Sequence, residues 1–182
     1  RQCGRNWFFS WWPYKNEMKT VYPVWAMVGY LQCGHCMKSI HKSVVVNYSP
    51  AEMFQLVSDV PAYSQFLPWC DFSRVLQTTP EGKIAEVGIG LFAVRQSFTT
   101  RNVEQPGKQI DMHLVRGPFS QLSGQWRFAP VGDDNARACR IDFQLRYSFT
   151  NLLLARLVGP LFDKIACNMV DAFIQRAKKV YG

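Results

Sequence analysis

The sequence has no long uninterrupted apolar segment. A helix that crosses a bilayer needs ~20 consecutive, mainly apolar residues. The longest candidate, residues 21–31, is too short and contains Pro23 and Gly29. Nor does any stretch combine a basic start, an apolar core and a small-residue cleavage site, the order that marks a secretory signal. The sequence therefore predicts neither a membrane-spanning helix nor an exported protein.

A catalytic constellation is also missing. Enzymes rely on a nucleophile with its base, a pair of acids or a bound metal. His113 shares the parity of Asp111 on a predicted strand and is expected to face water, while the two aspartates at 133–134 fit a turn. The segment Gly88-Ile89-Gly90 lacks the rest of a phosphate-binding fingerprint. We expect no enzyme, no metal site and no cofactor.

Acidic residues are outnumbered by basic ones. The chain has 21 Lys and Arg against 13 Asp and Glu, a net charge of +8. Residues 1–36 hold four basic residues and one acidic residue, which leaves +5 for residues 37–182. Such a mildly basic surface is compatible with RNA or an anionic membrane, although simple solvation is the plainer explanation.

Cysteine occurs, but in no pattern that indicates disulfides or a metal site. Cys70, Cys139 and Cys167 lie among apolar neighbours, which predicts small buried thiols in a reducing compartment. The segment Cys33-Gly34-His35-Cys36 has the form of a dithiol redox motif, but no helix N-terminus in a βαβ unit is predicted there. Adding Cys3 supplies no second pair of zinc ligands. We interpret the segment as a chance match.

The first 36 residues follow no helix or strand period. They hold four of the six tryptophans and two prolines that interrupt any regular spacing. The chain begins at Arg1, and regular patterning starts at Met37. We predict that residues 1–36 are a non-native segment translated from upstream sequence or a disordered extension, and that residues 37–182 form one domain. The intact mass of the protein from its native source tests this prediction.

From Met37 onward, apolar and polar residues alternate in short runs. Positions 122, 126 and 128 share one apolar parity, as do positions 141, 143, 145 and 147. A period of two with one apolar face indicates a sheet that is covered on one side and wet on the other. Turn residues separate the runs, which favours an antiparallel meander. Strands are predicted near 40–47, 70–78, 83–90, 93–104, 108–115, 119–130 and 136–148.

Two short helices and one long helix complete the pattern. Ser49 and Pro50 with Glu52 predict a helix start, and residues 61–67 predict a second short helix. The last helix is capped by Asn151, and it is the only predicted element long enough to cover the sheet. Its apolar stripe comprises Leu154, Leu157, Val158, Leu161, Ile165, Met169, Phe173 and Val180. A concave sheet closed by one helix can hold an apolar ligand.

Four sequence blocks resemble a known family. They are the stretch from Asn47 to Val75 with its Asn-Tyr-Ser-Pro and Phe-Leu-Pro motifs, the segment Phe98-Thr99-Thr100-Arg101-Asn102, the stretch from Leu114 to Phe128, and the stretch from Met169 to Gly182. In order and content they resemble the coenzyme Q-binding START-domain family. This family includes the ribosome association toxins called RatA and is grouped under the oligoketide cyclase/dehydrase name. The resemblance covers residues 37–182.

The resemblance implies an α+β helix-grip fold of the START and Bet v1 kind. In this fold a seven-stranded antiparallel sheet wraps on a long C-terminal helix, in the order one strand, two helices, six strands and one helix. The resemblance also implies ubiquinone (polyprenyl quinone) binding in a hydrophobic cavity, in support of cellular respiration as a lipid chaperone.

Two other functions stay open. The RatA branch implies binding to the large ribosomal subunit that blocks the joining of the subunits, and the cyclase name implies a polyketide cyclase or aromatase. We expect a bacterial cytoplasmic protein with peripheral contact at the inner membrane and no DNA binding.

The pattern and the resemblance together nominate site residues. The cavity is expected to be lined by Phe98, Met112, Leu114, Trp126, Phe143, Leu145, Leu157, Leu161, Ile165, Met169 and Phe173. For any single one of them ordinary core is the more common role, and the resemblance favours a cavity for the set. Arg74 and Arg101 are candidates to anchor a ring carbonyl or to brace the sheet through a carboxylate. Arg176, Lys178 and Lys179 could contact RNA phosphates or anionic lipid, or form a solvated helix end favoured by the helix dipole. No catalytic or metal-binding residue is assigned.

Overall fold

The structure is a computed structural model that describes residues 37–91, 94–132 and 137–182. The predictions for residues 1–36, including the Cys33–Cys36 motif, lie outside the described residues. The elements are β1 (Lys38–Val46), α1 (Pro50–Ser58), a 3₁₀ helix (Val60–Gln65), β2 (Cys70–Thr79), β3 (Gly82–Leu91), β4 (Val94–Gln105), β5 (Gln109–Arg116), β6 (Phe119–Pro130), β7 (Cys139–Phe149) and α2 (Leu152–Tyr181).

The seven strands form one antiparallel sheet in the order β1-β7-β6-β5-β4-β3-β2. Strands β2 to β7 pair with their sequence neighbours because short turns join them, and β1 pairs with β7 along its whole length. The turn between β4 and β5 needs a left-handed residue, which Gly107 supplies with a φ of 69°. The predicted fold class is confirmed, including the order of strands and helices.

Helix α1 begins with two reciprocal hydrogen bonds. The backbone N–H of Glu52 donates to the Ser49 hydroxyl at 3.2 Å, and the backbone N–H of Ser49 donates to the Glu52 carboxylate at 2.7 Å. Arg137 donates to the same carboxylate at 2.6 Å. The pKa of Glu52 is lowered from 4.5 to about 2. The hydrogen bond from Arg137 is the largest cause, and together with the hydrogen bonds from Ser49 it outweighs burial, which acts to raise the pKa. The predicted helix start is confirmed.

The two faces of the sheet differ as the alternation predicts. Along β7 the inward residues Cys139, Ile141, Phe143, Leu145 and Tyr147 are buried. Their neighbours Arg140, Gln144 and Arg146 are exposed on the outer face. The apolar, concave face is therefore the one that another element must cover.

Helix α2 covers this concave face. The Phe173 ring lies 5.3 Å from the Trp126 ring of β6. Nearer the start of the helix, Asp163 accepts a hydrogen bond from the buried Tyr147 hydroxyl and pairs with Lys38 of β1 at 2.5 Å. Burial and then the bond to Asp163 raise the pKa of Tyr147 far above its ordinary value, so this side chain stays a neutral donor.

Candidate functional site

A cavity of about 60 Å³ lies between the concave face of the sheet and α2. Strands β3 to β7 form its walls and α2 forms its roof, and Val60 and Tyr63 of the 3₁₀ helix with Trp69 just before β2 complete the lining. Its lining contains no charged side chain and consists of Val60, Tyr63, Trp69, Ala85, Val87, Phe98, Thr100, Asn102, Met112, Leu122, Trp126, Phe143, Leu145, Phe162, Ile165, Met169 and Phe173. The site is therefore a partly enclosed apolar cavity with a few polar groups.

Eight of the predicted lining residues lie on the cavity wall. They are Phe98, Met112, Trp126, Phe143, Leu145, Ile165, Met169 and Phe173. They meet because the inward parity of four neighbouring strands and the buried stripe of α2 face each other. Contact of these residues with a ligand stays a prediction, since buried side chains also pack as core.

Three predicted lining residues do not reach the cavity. Leu157 is 66% exposed on the outer side of α2, and its prediction was wrong because the first turns of this helix carry leucines on more than one face. Leu114 and Leu161 are partly buried and pack against the core without lining the cavity. Beside Leu114, the extra residue Val115 shifts the register between β4 and β5.

Two buried polar side chains of β4 face into the cavity. Thr100 and Asn102 are 5% and 6% exposed, and the Thr100 hydroxyl donates to Asn102 Oδ1 at 2.8 Å. This bond orients the amide, whose Nδ2 has no acceptor among the described residues. The Asn102 amide is thus a donor available to a ligand oxygen. Thr100 and Asn102 share the strand parity of Phe98, and this pattern in the sequence could have identified both as cavity residues.

Neither of the predicted anchors points into the cavity. Arg74 is mostly exposed, with Nη2 2.6 Å from Glu86 Oε2. It braces β2 against β3, which was the second interpretation. Arg101 is exposed and lies between two cavity-lining residues of β4, so that strand alternation turns it to the outer face. Of the two alternatives, the structure supports bracing for Arg74, and neither arginine is among the cavity-lining residues.

The cavity is smaller than a quinone ring requires. Its volume is about 60 Å³, whereas a cavity that binds benzene in another protein has about 150 Å³. Met112 and Met169 form part of the lining, and unbranched methionine side chains rearrange easily. A Cβ on Gly124 would lie 2.3 Å from Met112 Cε, so this glycine makes room for the methionine to lie against β6. The wall can deform where the methionines lie.

The polyketide cyclase / dehydrase and lipid transport family has a sequence model that matches residues 46–174. The match spans α1, the six strands β2 to β7 and most of α2. The chain belongs to this family. The resemblance found in the sequence is thereby confirmed.

Relatives of this family member carry names of two kinds. The chain is 44% identical over 155 residues to the ribosome association toxin RatA of Escherichia coli (strain K12), covering 85% of this chain and 96% of that protein. It is 31% identical over 142 residues to the mitochondrial coenzyme Q-binding protein COQ10 homolog B of Xenopus laevis, covering 78% of this chain and 58% of that protein. Neither name denotes an enzyme.

A solved structure shows the same fold. The Zhui aromatase/cyclase from Streptomyces sp. R1128 superposes with a TM-score of 0.67 at 12% identity, covering 80% of this chain and 96% of that one. At this identity the likeness establishes the helix-grip fold alone.

In this polyketide cyclase / dehydrase family member, one polar side chain of the cavity already donates its hydrogen bond to the protein backbone. The Tyr63 hydroxyl donates to the Val57 carbonyl at 2.5 Å. Burial, followed by the charges of Glu104 and Asp59, raises the pKa of Tyr63 well above its ordinary value. Tyr63 is thus a neutral wall residue whose donor is directed at the protein backbone.

The basic end of α2 lies apart from the cavity lining. Arg176 donates to Gln65 at 3.1 Å and stacks over the Phe66 ring at 5.3 Å. Lys178 and Lys179 are exposed in the last turn. Arg176 is therefore partly engaged within the fold, and the two lysines are open to solvent.

Neither a membrane-spanning helix nor a metal site occurs in the described ranges. No helix there is both long and apolar enough to cross a bilayer. No group of three or more His, Cys, Asp or Glu side chains there is close enough to hold a metal ion. His113 lies with Asp111 and Gln125 in a polar groove on the outer face of the sheet, as its parity predicted.

Proposed function

We propose that this protein binds a polyprenyl quinone, or a hydrophobic molecule of that kind, between the sheet and α2, and acts as a lipid chaperone. The observation that carries the proposal is the uncharged cavity with the Asn102 amide as a donor in its wall. The name of the COQ10 relative supports the choice of ligand.

The chemistry of a quinone suits this lining. A prenyl tail gains roughly 25 cal/mol for each Å² of apolar surface that it removes from water. A ring carbonyl oxygen would accept a hydrogen bond from the Asn102 amide, which removes the cost of burying that oxygen unpaired. The ligand needs no charged partner, and the lining provides none.

The ligand requires the cavity to expand. Because about 60 Å³ is too little for a ring, binding must move α2 or the methionines of the wall. The ligand would then lie between α2 and the sheet, and its apolar surface would keep the inner side of the helix out of water.

The proposed role is binding without turnover. The polar side chains of the lining include Tyr63, Thr100 and Asn102, and no acid–base pair occurs among the lining residues. We therefore propose that the quinone is cargo, with no further cofactor. A polyketide cyclase activity would instead require a proton donor or acceptor at the cavity.

Organic extraction tests this function. The full chain is purified from its native source and extracted, and the extract is analysed by mass spectrometry. A polyprenyl quinone recovered in near-stoichiometric amount is the expected result. An extract with no quinone, and no quinone taken up on incubation, would contradict the proposal.

A second candidate function is contact with the large ribosomal subunit. The name of the relative with 44% identity favours it. Arg101, His113 and Arg146 lie in one cross-strand row on the outer face of β4, β5 and β7, joined through Ser123 of β6. Neither arginine of this row makes an ion pair with a described residue, so both are free to contact RNA phosphates.

Sedimentation with ribosomal subunits separates this candidate from the first. If the row contacts RNA, Arg101→Gln with Arg146→Gln should weaken binding. The slope of log affinity against log salt concentration should become shallower by about one for each arginine, because each would contact about one phosphate. Replacing Arg176, Lys178 and Lys179 together tests the basic helix end in the same way. Arg95→Gln is the matched control, because Arg95 already pairs with Asp71 at 2.6 Å. Equal binding of all variants would exclude both surfaces.

A further inference from the structure

The solvent side of α2 changes character along its length. Residues 153, 157 and 160 follow one another at the spacing of a helix face and are all exposed. Leu153 is 69% exposed and Leu157 is 66% exposed. Further along the same side, the exposed residues are Lys164, Asn168, Asp171, Gln175 and Lys178. The outer side of the helix is thus apolar in its first turns and polar afterwards.

This distribution departs from that of an ordinary surface helix. Such a helix shows polar residues to solvent along its whole outer face. Single exposed leucines are normal, but contiguous ones mark interaction sites. Leu152 is a third exposed leucine, at 54%, beside Leu153 at the start of the helix. We call Leu152, Leu153 and Leu157 with Pro160 the leucine patch.

Basic side chains flank the leucine patch. Arg156 lies beside the patch and Lys164 follows it along the same side of the helix; both are exposed, and neither makes an ion pair with a described residue. Asp163, the nearest acid along the helix, already pairs with Lys38 and accepts a hydrogen bond from Tyr147. The surface around the patch therefore carries positive charge that the fold does not neutralise.

We propose that the leucine patch docks this protein onto an anionic lipid bilayer. An apolar helix face flanked by Lys and Arg is the pattern of helices that lie in a membrane interface, with the apolar side chains among the acyl chains and the cations near anionic headgroups. The patch differs from the basic helix end that the sequence nominated for lipid contact. This inference rests on the proposed function, since a bilayer is where a polyprenyl quinone resides.

The same turns of α2 connect the patch to the cavity. Phe162 and Ile165 line the cavity from the opposite side of the helix. Docking would therefore place the roof of the cavity against the bilayer. A displacement of these turns would open the enclosure toward lipid, which is the expansion that ligand entry requires.

Vesicle flotation with the full chain tests the docking. Binding is measured to vesicles of phosphatidylcholine with phosphatidylglycerol and to vesicles of phosphatidylcholine alone. Leu153→Gln with Leu157→Gln is expected to weaken binding about tenfold on both, because apolar burial is lost. Arg156→Gln with Lys164→Gln is expected to weaken binding on the anionic vesicles only. The control is Leu76→Gln with Val45→Gln, two apolar residues of the outer sheet face that are each 51% exposed.

The outcomes separate docking from ligand binding and from self-association. Unchanged vesicle binding by the leucine variant would overturn the inference. The inference would also be overturned if the wild type formed a dimer and bound no vesicles while the leucine variant was a monomer. The patch would then face a second copy of this chain. Affinity for a short-tailed quinone in vesicle-free solution is measured in parallel and should equal that of the wild type. If no variant binds quinone but the leucine effect on vesicles persists, the proposed function fails and the docking stands.

Discussion

Asn102 is the residue on which the chemistry of the cavity depends most. It is buried on the concave face, its oxygen is occupied by Thr100, and its amide nitrogen faces the cavity without a protein acceptor among the described residues. A hydrogen bond from this nitrogen would satisfy a ligand carbonyl oxygen that is taken out of water, which a plain hydrocarbon does not need. Specificity for a quinone over a plain hydrocarbon should therefore reside at this side chain.

Replacing Asn102 with leucine tests that assignment. Asn102→Leu should reduce affinity for a short-tailed quinone about tenfold, the value of one buried hydrogen bond. Affinity for a hydrocarbon of similar size should not fall. The control Asn168→Leu changes an exposed asparagine of α2 and should bind both ligands as the wild type does. An equal loss for the two ligands would show that Asn102 shapes the cavity and does not recognise the carbonyl.

The buried thiols give a second prediction at the scale of single residues. Desolvation raises the pKa of Cys139 to about 11. Because the thiolate is the reactive form, alkylation of Cys139 in the folded protein near neutral pH should be far slower than in the unfolded protein. Mass spectrometry after iodoacetamide treatment, with and without denaturant, measures the difference. Equal rates would show that Cys139 is exposed in solution.

Among the elements, α1 links stability to pH through its cap. The folded pKa of Glu52 is about 2 and its ordinary value is 4.5, so ionised Glu52 stabilises the fold above pH 4.5 and this stabilisation is lost as the pH falls toward 2. With allowance for solvent screening, the contribution is about 1 kcal/mol. Glu52→Gln should lower the free energy of unfolding by this amount above pH 4.5 and by little near pH 2.

Denaturant unfolding of both proteins at the two pH values measures this effect. The control Glu81→Gln removes an exposed carboxylate for which the structure shows no side-chain hydrogen bond or ion pair among the described residues, and it should change stability little at either pH. A Glu52→Gln effect that is the same at both pH values would mean that its charge is not what stabilises α1.

The strands could be predicted from the sequence because alternation and turn residues are local signals. Trp126 and Phe143 share the inward parity of their strands, and the structure places their rings 4.4 Å apart. The same rule turns Arg101 outward and Asn102 inward. The choice of Arg101 as an anchor went against that rule, because it rested on the position of a charged residue in a family block and not on the parity of the strand.

Helix α2 was harder to predict because its first turns have two apolar sides. Leu154, Leu157, Val158 and Leu161 are all apolar, and helical spacing alone does not say which of them face the sheet. The structure buries Val158 and Phe162 and exposes Leu157. The volume of the cavity could not be predicted either, because it depends on how side chains from many elements fill the same space.

At the scale of the whole molecule, the fold separates three surfaces. The concave face with α2 encloses an uncharged cavity, the outer face of the sheet carries unpaired arginines, and the start of α2 carries exposed leucines. We propose a different binding partner for each of them, namely an apolar ligand, RNA and a lipid surface. Substitutions on one surface should therefore leave the functions proposed for the others intact.

The central claim, that the space under α2 holds a hydrophobic ligand, is tested most directly by filling it. Ala85 is 1% exposed and lines the cavity, and Ala85→Leu would place three more carbon atoms into about 60 Å³. The control Ala129→Leu makes the same change at an exposed position of β6. Equilibrium titration with a short-tailed quinone should show at least tenfold weaker binding for Ala85→Leu and wild-type binding for Ala129→Leu. Wild-type affinity in the Ala85→Leu protein, with its fold intact, would contradict the claim.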